Sequence, residues 1–182
     1  MEQAADKMSA GEAGVAVVRA SAPGARKGRI TYGASSYECA LGSGGCRLDK
    51  REGDGATPIG TWPIRRVLFR ADKIDRPVTA FPISAIARDD GWCDAPSDPS
   101  YNRPVRHPYP SSAEHLWRDD DLYDVVVVLG HNDDPVVPGA GSAIFMHVAS
   151  AGYGPTAGCI ALKLPDLLAL LDTPGLTAVR VE

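Results

Sequence analysis

One thiol and one imidazole stand close together in a stretch that could support acyl transfer. His147 lies in the run 144–149, which reads Ile-Phe-Met-His-Val-Ala, and Cys159 follows twelve residues later. A cysteine beside a histidine base is the usual requirement for covalent acyl transfer through a thiol. The thiolate is the reactive form, and a free thiol has a pKa of about 8.5 unless its neighbours lower it. The spacing predicts Cys159 as the nucleophile and His147 as the base that activates it.

The segments on either side of this pair predict how the two side chains are presented. Larger aliphatic side chains alternate with the others in 144–149, so a strand there places His147 on one face and the aliphatics on the opposite face. The residues 150–154 then turn the chain. Two segments joined by so short a connection can bring an imidazole and a thiol within hydrogen-bonding reach.

Small residues directly before the cysteine favour a close approach of the backbone to a bound carbonyl. They are Thr156, Ala157 and Gly158, and the glycine can adopt dihedral angles that other residues avoid. We assign Gly158 and Thr156 to oxyanion binding or positioning, next to the N–H group of the cysteine itself. The alternative is a buried core cysteine and a histidine satisfied by local hydrogen bonds.

Two ordered motifs resemble those of the L,D-transpeptidase catalytic domain, also called YkuD-like. One is His147 followed by a glycine-containing turn and the run 156–160, Thr-Ala-Gly-Cys-Ile; the other is Thr-Pro-Ile-Gly at 57–60. The resemblance covers about residues 13–182. It implies a mainly β fold, either sandwich-like or a rolled sheet, and a reaction on peptidoglycan stem peptides or muropeptides.

The chain departs from the family pattern at three positions. Ala161 stands where the family usually has an arginine, Ala157 where many members have a histidine, and Val148 where a glycine follows the histidine. Contacts of the missing arginine with substrate therefore cannot be assigned from the resemblance. Arg103 and Arg106 are the candidates to meet a substrate carboxylate, because arginine binds carboxylates with two hydrogen bonds.

The resemblance implies a two-step reaction. The Cys159 thiolate attacks the carbonyl at the L-centre of diaminopimelate beside a terminal D-Ala, His147 carries the proton to the leaving amine, and a thioester forms. Water as the acceptor gives an L,D-carboxypeptidase of peptidoglycan recycling, and a second stem-peptide amine gives a cross-linking L,D-transpeptidase. We favour water, because no signal peptide is visible.

Three further residues are predicted to contact substrate. Asp90 lies in the acidic patch 89–94, which either holds a cationic amine or caps turns. His131 and Asn132 follow the apolar run 125–129 and could line the cleft. His131 could compete with His147 as the base, but the family pattern places the base directly upstream of the nucleophile.

Two other classes of function are open. A metal could bind His131, His147 and Cys159, although these residues lack the paired spacing of common metal sites. We predict neither a metal nor a cofactor. A non-catalytic wall-binding module is the second alternative, and it predicts that the cysteine is dispensable.

The composition limits the number of domains and the classes of protein to which the chain can belong. A chain of 182 residues with 44% hydrophobic residues and a net charge of −4 suits one folded domain and does not suggest a nucleic-acid-binding protein. No apolar run approaches the ~20 residues that span a bilayer. We expect a flexible lead at 1–13, a catalytic domain at 14–182 and four free cysteines. The location predicted from the sequence as written is cytoplasmic, or periplasmic if a leader was removed.

The remaining pattern is that of short strands. We predict strands at 15–19, 29–32, 37–41, 64–70, 125–129 and 176–181, of which 125–129 is apolar throughout and is expected to be buried on both faces. The glycines at 42–45 indicate a turn beside the site. Short helices are predicted to begin at Ser111, which with Glu114 forms a capping-box pattern, and at Pro165.

Overall fold

The computed structural model describes residues 13–182, so the expected lead at 1–13 lies outside the described residues except for its last position. The described chain is mainly β with a single helix, α1 (Leu164–Leu171). This confirms the predicted fold class. The strands are β1 (Val15–Ala20), β2 (Lys27–Tyr32), β3 (Ser35–Ala40), β4 (Cys46–Arg47), β5 (Thr57–Pro58), β6 (Gly60–Phe69), β7 (Ile83–Ala85), β8 (Asp90–Cys93), β9 (Pro104–Arg106), β10 (Ala113–His115), β11 (Val125–Leu129), β12 (Phe145–Val148), β13 (Ile160–Leu162) and β14 (Ala178–Val181).

The main sheet closes on itself. Its nine strands run in the order β11-β12-β13-β3-β2-β1-β14-β6-β7, and β11 also pairs with the long strand β6. This extra pairing rolls the sheet into a barrel-like sandwich, which removes most of the exposed sheet edge. The closed sheet is the frame on which β12 and β13, the strands around the predicted nucleophile, are held.

Strands β11 and β12 each pack on two sides. In β11, Val125 and Val127 enter the core inside the barrel, whereas Val126 and Val128 join a second apolar cluster on its outer face. In β12, Met146 faces the barrel core and Phe145 faces the outer cluster. The prediction that 125–129 is a strand buried on both faces is confirmed.

A small sheet covers the outer face of β11 and β12. It has the order β10-β8-β9, and it brings Trp92 and Leu116 against Phe145. The rings of Trp92 and Phe145 meet edge to face with centroids 5.2 Å apart, a favourable arrangement for two aromatic rings. The space between this covering sheet and the barrel is where the candidate site lies.

One predicted helix is wrong. The capping-box pattern at 111–114 lies in and just before strand β10, where Glu114 pairs with Trp92 of β8. The Ser111 hydroxyl donates to the carboxylate of Asp98 and does not cap a helix. A short local signal was overridden by cross-strand pairing.

The other predicted helix is confirmed as α1. Pro165 lies in its first turn with Asp166, and the side chains of Leu167, Leu170 and Leu171 are buried. The predicted strands other than 125–129 correspond to β1, β2, β3, β6 and β14, with ends that differ by a few residues. No helix in the described part of the chain is both long enough and apolar enough to cross a membrane.

Candidate active site

A cavity of about 460 Å³ lies between the barrel and the covering sheet. Cys159 and His147 both line it, so the structure brings together the two residues that the sequence singled out. Most of the remaining lining comes from three segments: the loop with Glu52, the stretch from Glu114 to Tyr123, and the turn at 154–157. The other lining residues are Asp94, Ser142, Ala143, Ser150 and Ala161. The cavity is the size of a single small-ligand site.

Strand register explains why the thiol and the imidazole face the same side. Strands β12 and β13 are parallel, and His147 is paired with Ala161. Cys159 lies directly before β13 and two residues before Ala161, and extended backbone places side chains two residues apart on one face. The side chains of both residues line the cavity. The opposite face of both strands carries Met146 and Ile160 into the barrel core.

The surroundings of the Cys159 thiol favour its neutral form. Its Sγ donates a hydrogen bond to the carbonyl of Ala143 (3.2 Å) and accepts one from the N–H of Phe145 (3.4 Å). Burial, and secondly the nearby carboxylate of Glu114, raise the pKa of Cys159 to about 12, whereas the Phe145 N–H and Lys50 act in the opposite direction. Free thiolate is therefore scarce at neutral pH.

The surroundings of the His147 imidazole also favour its neutral form. Its Nδ1 lies 2.8 Å from the carbonyl oxygen of Val148, and because a carbonyl only accepts, we assign the ring proton to Nδ1 and the basic lone pair to Nε2. Burial lowers the pKa of His147 more than the Val148 carbonyl raises it. In the described part of the chain no hydrogen bond joins Cys159 to His147, and the two neutral groups form no ion pair.

Thr156 organises the turn that presents the nucleophile. Its hydroxyl donates to the carbonyl of Cys159 (2.7 Å) and accepts the N–H of Gly158 (3.1 Å). The Gly158 N–H is therefore directed at Thr156, which does not support its predicted role at an oxyanion. Gly158 is needed for its conformation, because its φ is +133° and a Cβ there would lie 2.8 Å from the carbonyl oxygen of Ala56.

The upstream Thr-Pro segment supports this turn from behind. The buried Thr57 hydroxyl accepts the N–H of Gly42 (2.9 Å), and the next N–H, from Ser43, donates to the carbonyl of Thr156 (2.9 Å). A Cβ on Gly42 would lie 2.2 Å from the carbonyl oxygen of Gly55, so the loop requires glycine there. The glycine turn at 42–45 thus lies beside the site, and it connects the two sequence motifs in space.

The predicted contacts Asp90, Arg103 and Arg106 do not line the cavity. Arg106 pairs with Asp89 (2.7 Å) and Asp90 (2.8 Å), because Asp90 and Arg106 are cross-strand neighbours in β8 and β9. Asp90 also accepts the N–H of Ala87. Arg103 donates to the carbonyl of Asp133 (3.0 Å) and lines a separate groove.

The loop after β11 is likewise kept away from the cavity by its own contacts. The Nε2 atom of His131 lies 3.0 Å from the carbonyl of Ala140, and its ring meets that of Trp62 edge-on at 4.6 Å. The Asn132 side chain bridges the carbonyls of Val137 and Gly141. The alternative metal set of His131, His147 and Cys159 is therefore not assembled, and the described residues contain no group of three or more His, Cys, Asp or Glu that could hold a metal.

Three cavity residues were missed by the sequence analysis: Glu114, Arg118 and Tyr123. The Tyr123 hydroxyl donates to Oε1 of Glu114, and its ring lies edge-on to the ring of His147 with centroids 5.2 Å apart. Arg118 binds Asp120 through two hydrogen bonds of 2.9 and 2.6 Å. No local pattern distinguishes these residues, because Glu114 reaches the cavity through the pairing of β10 with β8, and the other two lie on the segment that connects β10 to β11. The only usable signal was the position of Tyr123 just before the buried strand β11.

Comparison with known families agrees with this geometry. The family model described as the L,D-transpeptidase catalytic domain, YkuD, matches residues 24–181. The match contains both motifs and almost every element of the barrel. No curated protein and no solved structure matches the chain.

Proposed function

The chain belongs to the L,D-transpeptidase catalytic-domain family of peptidoglycan enzymes, and we propose that it cleaves the diaminopimelate–D-Ala bond of stem peptides through a thioester on Cys159. The observation that carries the proposal is the shared cavity, in which Cys159 and His147 face the same side of two paired strands. In the first step the sulfur bonds to the carbonyl carbon, and D-Ala leaves with its amine protonated through His147. In the second step an acceptor cleaves the C–S bond.

Proton transfer has to accompany attack. Because the pKa of Cys159 is raised to about 12 and that of His147 is lowered, the resting pair holds its proton on sulfur. When substrate enters and displaces water, the Nε2 lone pair of His147 accepts the proton of the Cys159 thiol. Catalytic hydrogen bonds are commonly long in a ligand-free site and shorten when substrate binds.

Arg118 is the residue that we propose in place of the missing family arginine. Ala161, which occupies the usual arginine position, lines the same cavity as Arg118. Asp120 engages two of the guanidinium nitrogens, which leaves other N–H groups for a substrate carboxylate. Arg118→Gln is expected to raise KM by about 10- to 100-fold, the equivalent of one charged hydrogen bond, with a smaller change in kcat. Arg103→Gln is the control, because Arg103 lies outside the cavity.

Water is the acceptor that we favour, which makes the protein an L,D-carboxypeptidase. A cavity of about 460 Å³ suits one peptide end. A second stem peptide would need additional space next to the first. The cross-linking transpeptidase is the second candidate, and its support is the activity for which the family is named.

The decisive experiment uses the purified protein, Cys159→Ala and Cys46→Ala with soluble disaccharide-tetrapeptide, followed by mass spectrometry. We expect D-Ala and tripeptide from the wild type and from Cys46→Ala, and neither product from Cys159→Ala. Cross-linked dimers in place of tripeptide would identify a transpeptidase. Binding of the muropeptide without turnover by any of the three proteins would contradict the enzyme and favour a wall-binding module.

A further inference from the structure

Glu114 is an acidic residue of the cavity with one carboxylate oxygen held by a hydrogen bond and the other free to accept a proton. It lies on β10, lines the cavity together with Cys159, and accepts the Tyr123 hydroxyl at Oε1. In the described part of the chain, no donor bonds its second oxygen, Oε2. Tyr123 in turn lies edge-on to His147, so one tyrosine fixes the carboxylate relative to the imidazole.

We infer that Glu114 is the catalytic base that activates the acceptor water in the second half of the reaction, held in place by Tyr123, whereas His147 serves the first half. This inference rests on the proposed function. It assigns the two proton transfers to two different residues of one cavity.

The negative charge of Glu114 opposes formation of a Cys159 thiolate in the first half of the reaction. A carboxylate next to sulfur disfavours the thiolate, and Glu114 is the largest cause after burial of the raised pKa of Cys159. Once the thioester has formed, the sulfur carries no charge and this conflict disappears. A carboxylate in the same position can then accept a proton from water, and the positive charge that develops on the attacking water is attracted to it.

The base strength of Glu114 is also suitable. Burial raises the pKa of Glu114, and the carboxylates of Asp94 and Glu52 act in the same direction, whereas the Tyr123 hydroxyl and Arg118 oppose them. A carboxylate with a raised pKa is a better proton acceptor near neutral pH than an ordinary one. Cys159, which also lines the cavity, carries no charge once it has formed the thioester.

The step balances without a cofactor. The water oxygen bonds to the thioester carbonyl carbon while one water proton passes to Oε2 of Glu114. The C–S bond then breaks, and its electron pair leaves on the sulfur of Cys159. The sulfur recovers the proton from Glu114, which restores the neutral thiol hydrogen-bonded to Ala143.

Glu52, a second carboxylate of the cavity, accepts two side-chain hydrogen bonds where Glu114 accepts one. Its Oε2 accepts hydrogen bonds from both the Tyr101 hydroxyl and the Ser142 hydroxyl. These contacts tie the 49–55 loop to the segment before β12. Asp94, the third carboxylate that lines the cavity, is the competing candidate, and a variant of it belongs in the test.

The test is intact-protein mass spectrometry of the full chain during turnover of disaccharide-tetrapeptide. Glu114→Gln is expected to release a first equivalent of D-Ala and then to accumulate the acyl-enzyme, with the deacylation rate lowered by about 10²- to 10⁴-fold. Tyr123→Phe is expected to accumulate less of it. Glu38→Gln, an exposed change on β3, should behave as the wild type.

Three results would overturn the assignment. They are wild-type deacylation in Glu114→Gln, accumulation in Asp94→Asn in its place, or loss of the first D-Ala in a Glu114→Gln protein whose thermal unfolding matches the wild type. In the wild type the deacylation rate should fall at low pH as Glu114 becomes protonated, and this fall should be absent in Glu114→Gln. If the wild type itself releases no D-Ala, the proposed function fails instead, and the inference with it.

Discussion

Two buried thiols, Cys39 on β3 and Cys159 directly before β13, share a raised pKa but pack in different clusters. Burial raises the pKa of both Cys159 and Cys39 to about 12. Cys39 is fully buried within the barrel core, whereas Cys159 faces outward into the cavity that it shares with His147. A shifted pKa therefore does not distinguish a nucleophile from a core residue. Access to a cavity and the polar groups around it make the difference.

The largest expected effect separates the two thiols by activity. Cys159→Ala should lower D-Ala release by at least about 10⁴-fold, since a covalent nucleophile has no substitute. Cys39→Ala should retain activity but lose about 1–2 kcal/mol of unfolding free energy, as a small gap opens in the core. Product assays and urea denaturation check both values. A comparable loss of activity in Cys39→Ala would remove the distinction.

Replacing the base should give the next largest effect. His147→Gln is expected to lower kcat by about 10²- to 10⁴-fold, because the proton on Cys159 then has no acceptor during attack. His131→Gln is the matched control, since His131 is a buried imidazole outside the cavity. Steady-state kinetics distinguish the two variants. Equal losses in both would indicate that imidazole burial matters more than position.

Alkylation should distinguish Cys159 from Cys39 by the access of a reagent to each thiol. Iodoacetamide should modify Cys159 in the folded protein at a rate that rises about tenfold per pH unit between pH 7 and 10, because its thiolate fraction is still far from saturation there. Cys39 has the same raised pKa but should react only in the unfolded protein. Peptide mapping resolves the sites. A plateau for Cys159 below pH 9 would contradict a raised pKa.

The smallest expected effect is on stability at high pH. A thiol whose folded pKa is raised from 9.0 to about 12 favours folding fully below pH 9, and this contribution is lost as the pH rises toward 12. Each thiol then costs about 1 kcal/mol at pH 10, or about 3 °C in Tm for a chain of this size. Cys39→Ala should therefore show a smaller fall in Tm between pH 8 and pH 10 than the wild type. An identical fall in the two proteins would contradict this assignment.

The sequence was informative where the signal is local or repeated. The apolar run that became β11, the proline-started helix α1 and the alternation around His147 each depend on neighbouring residues, and each has the predicted structure. The capping-box pattern at 111–114 misled, because four residues of helix signal are weak against strand pairing with β8.

The sequence by itself determined the fold class, the family and the pair Cys159 and His147 as the residues to examine, because motifs and periodicity are properties of adjacent residues. Only the tertiary structure decided what surrounds that pair. Pairing of β12 with β13 sets the two side chains on one face, and pairing of β10 with β8 brings Glu114 into the same cavity. The tertiary structure also pairs Arg103 with the carbonyl of Asp133 and Arg106 with Asp90, both outside the cavity. Charge pairing and burial arise between residues distant in sequence, so no local pattern could report them.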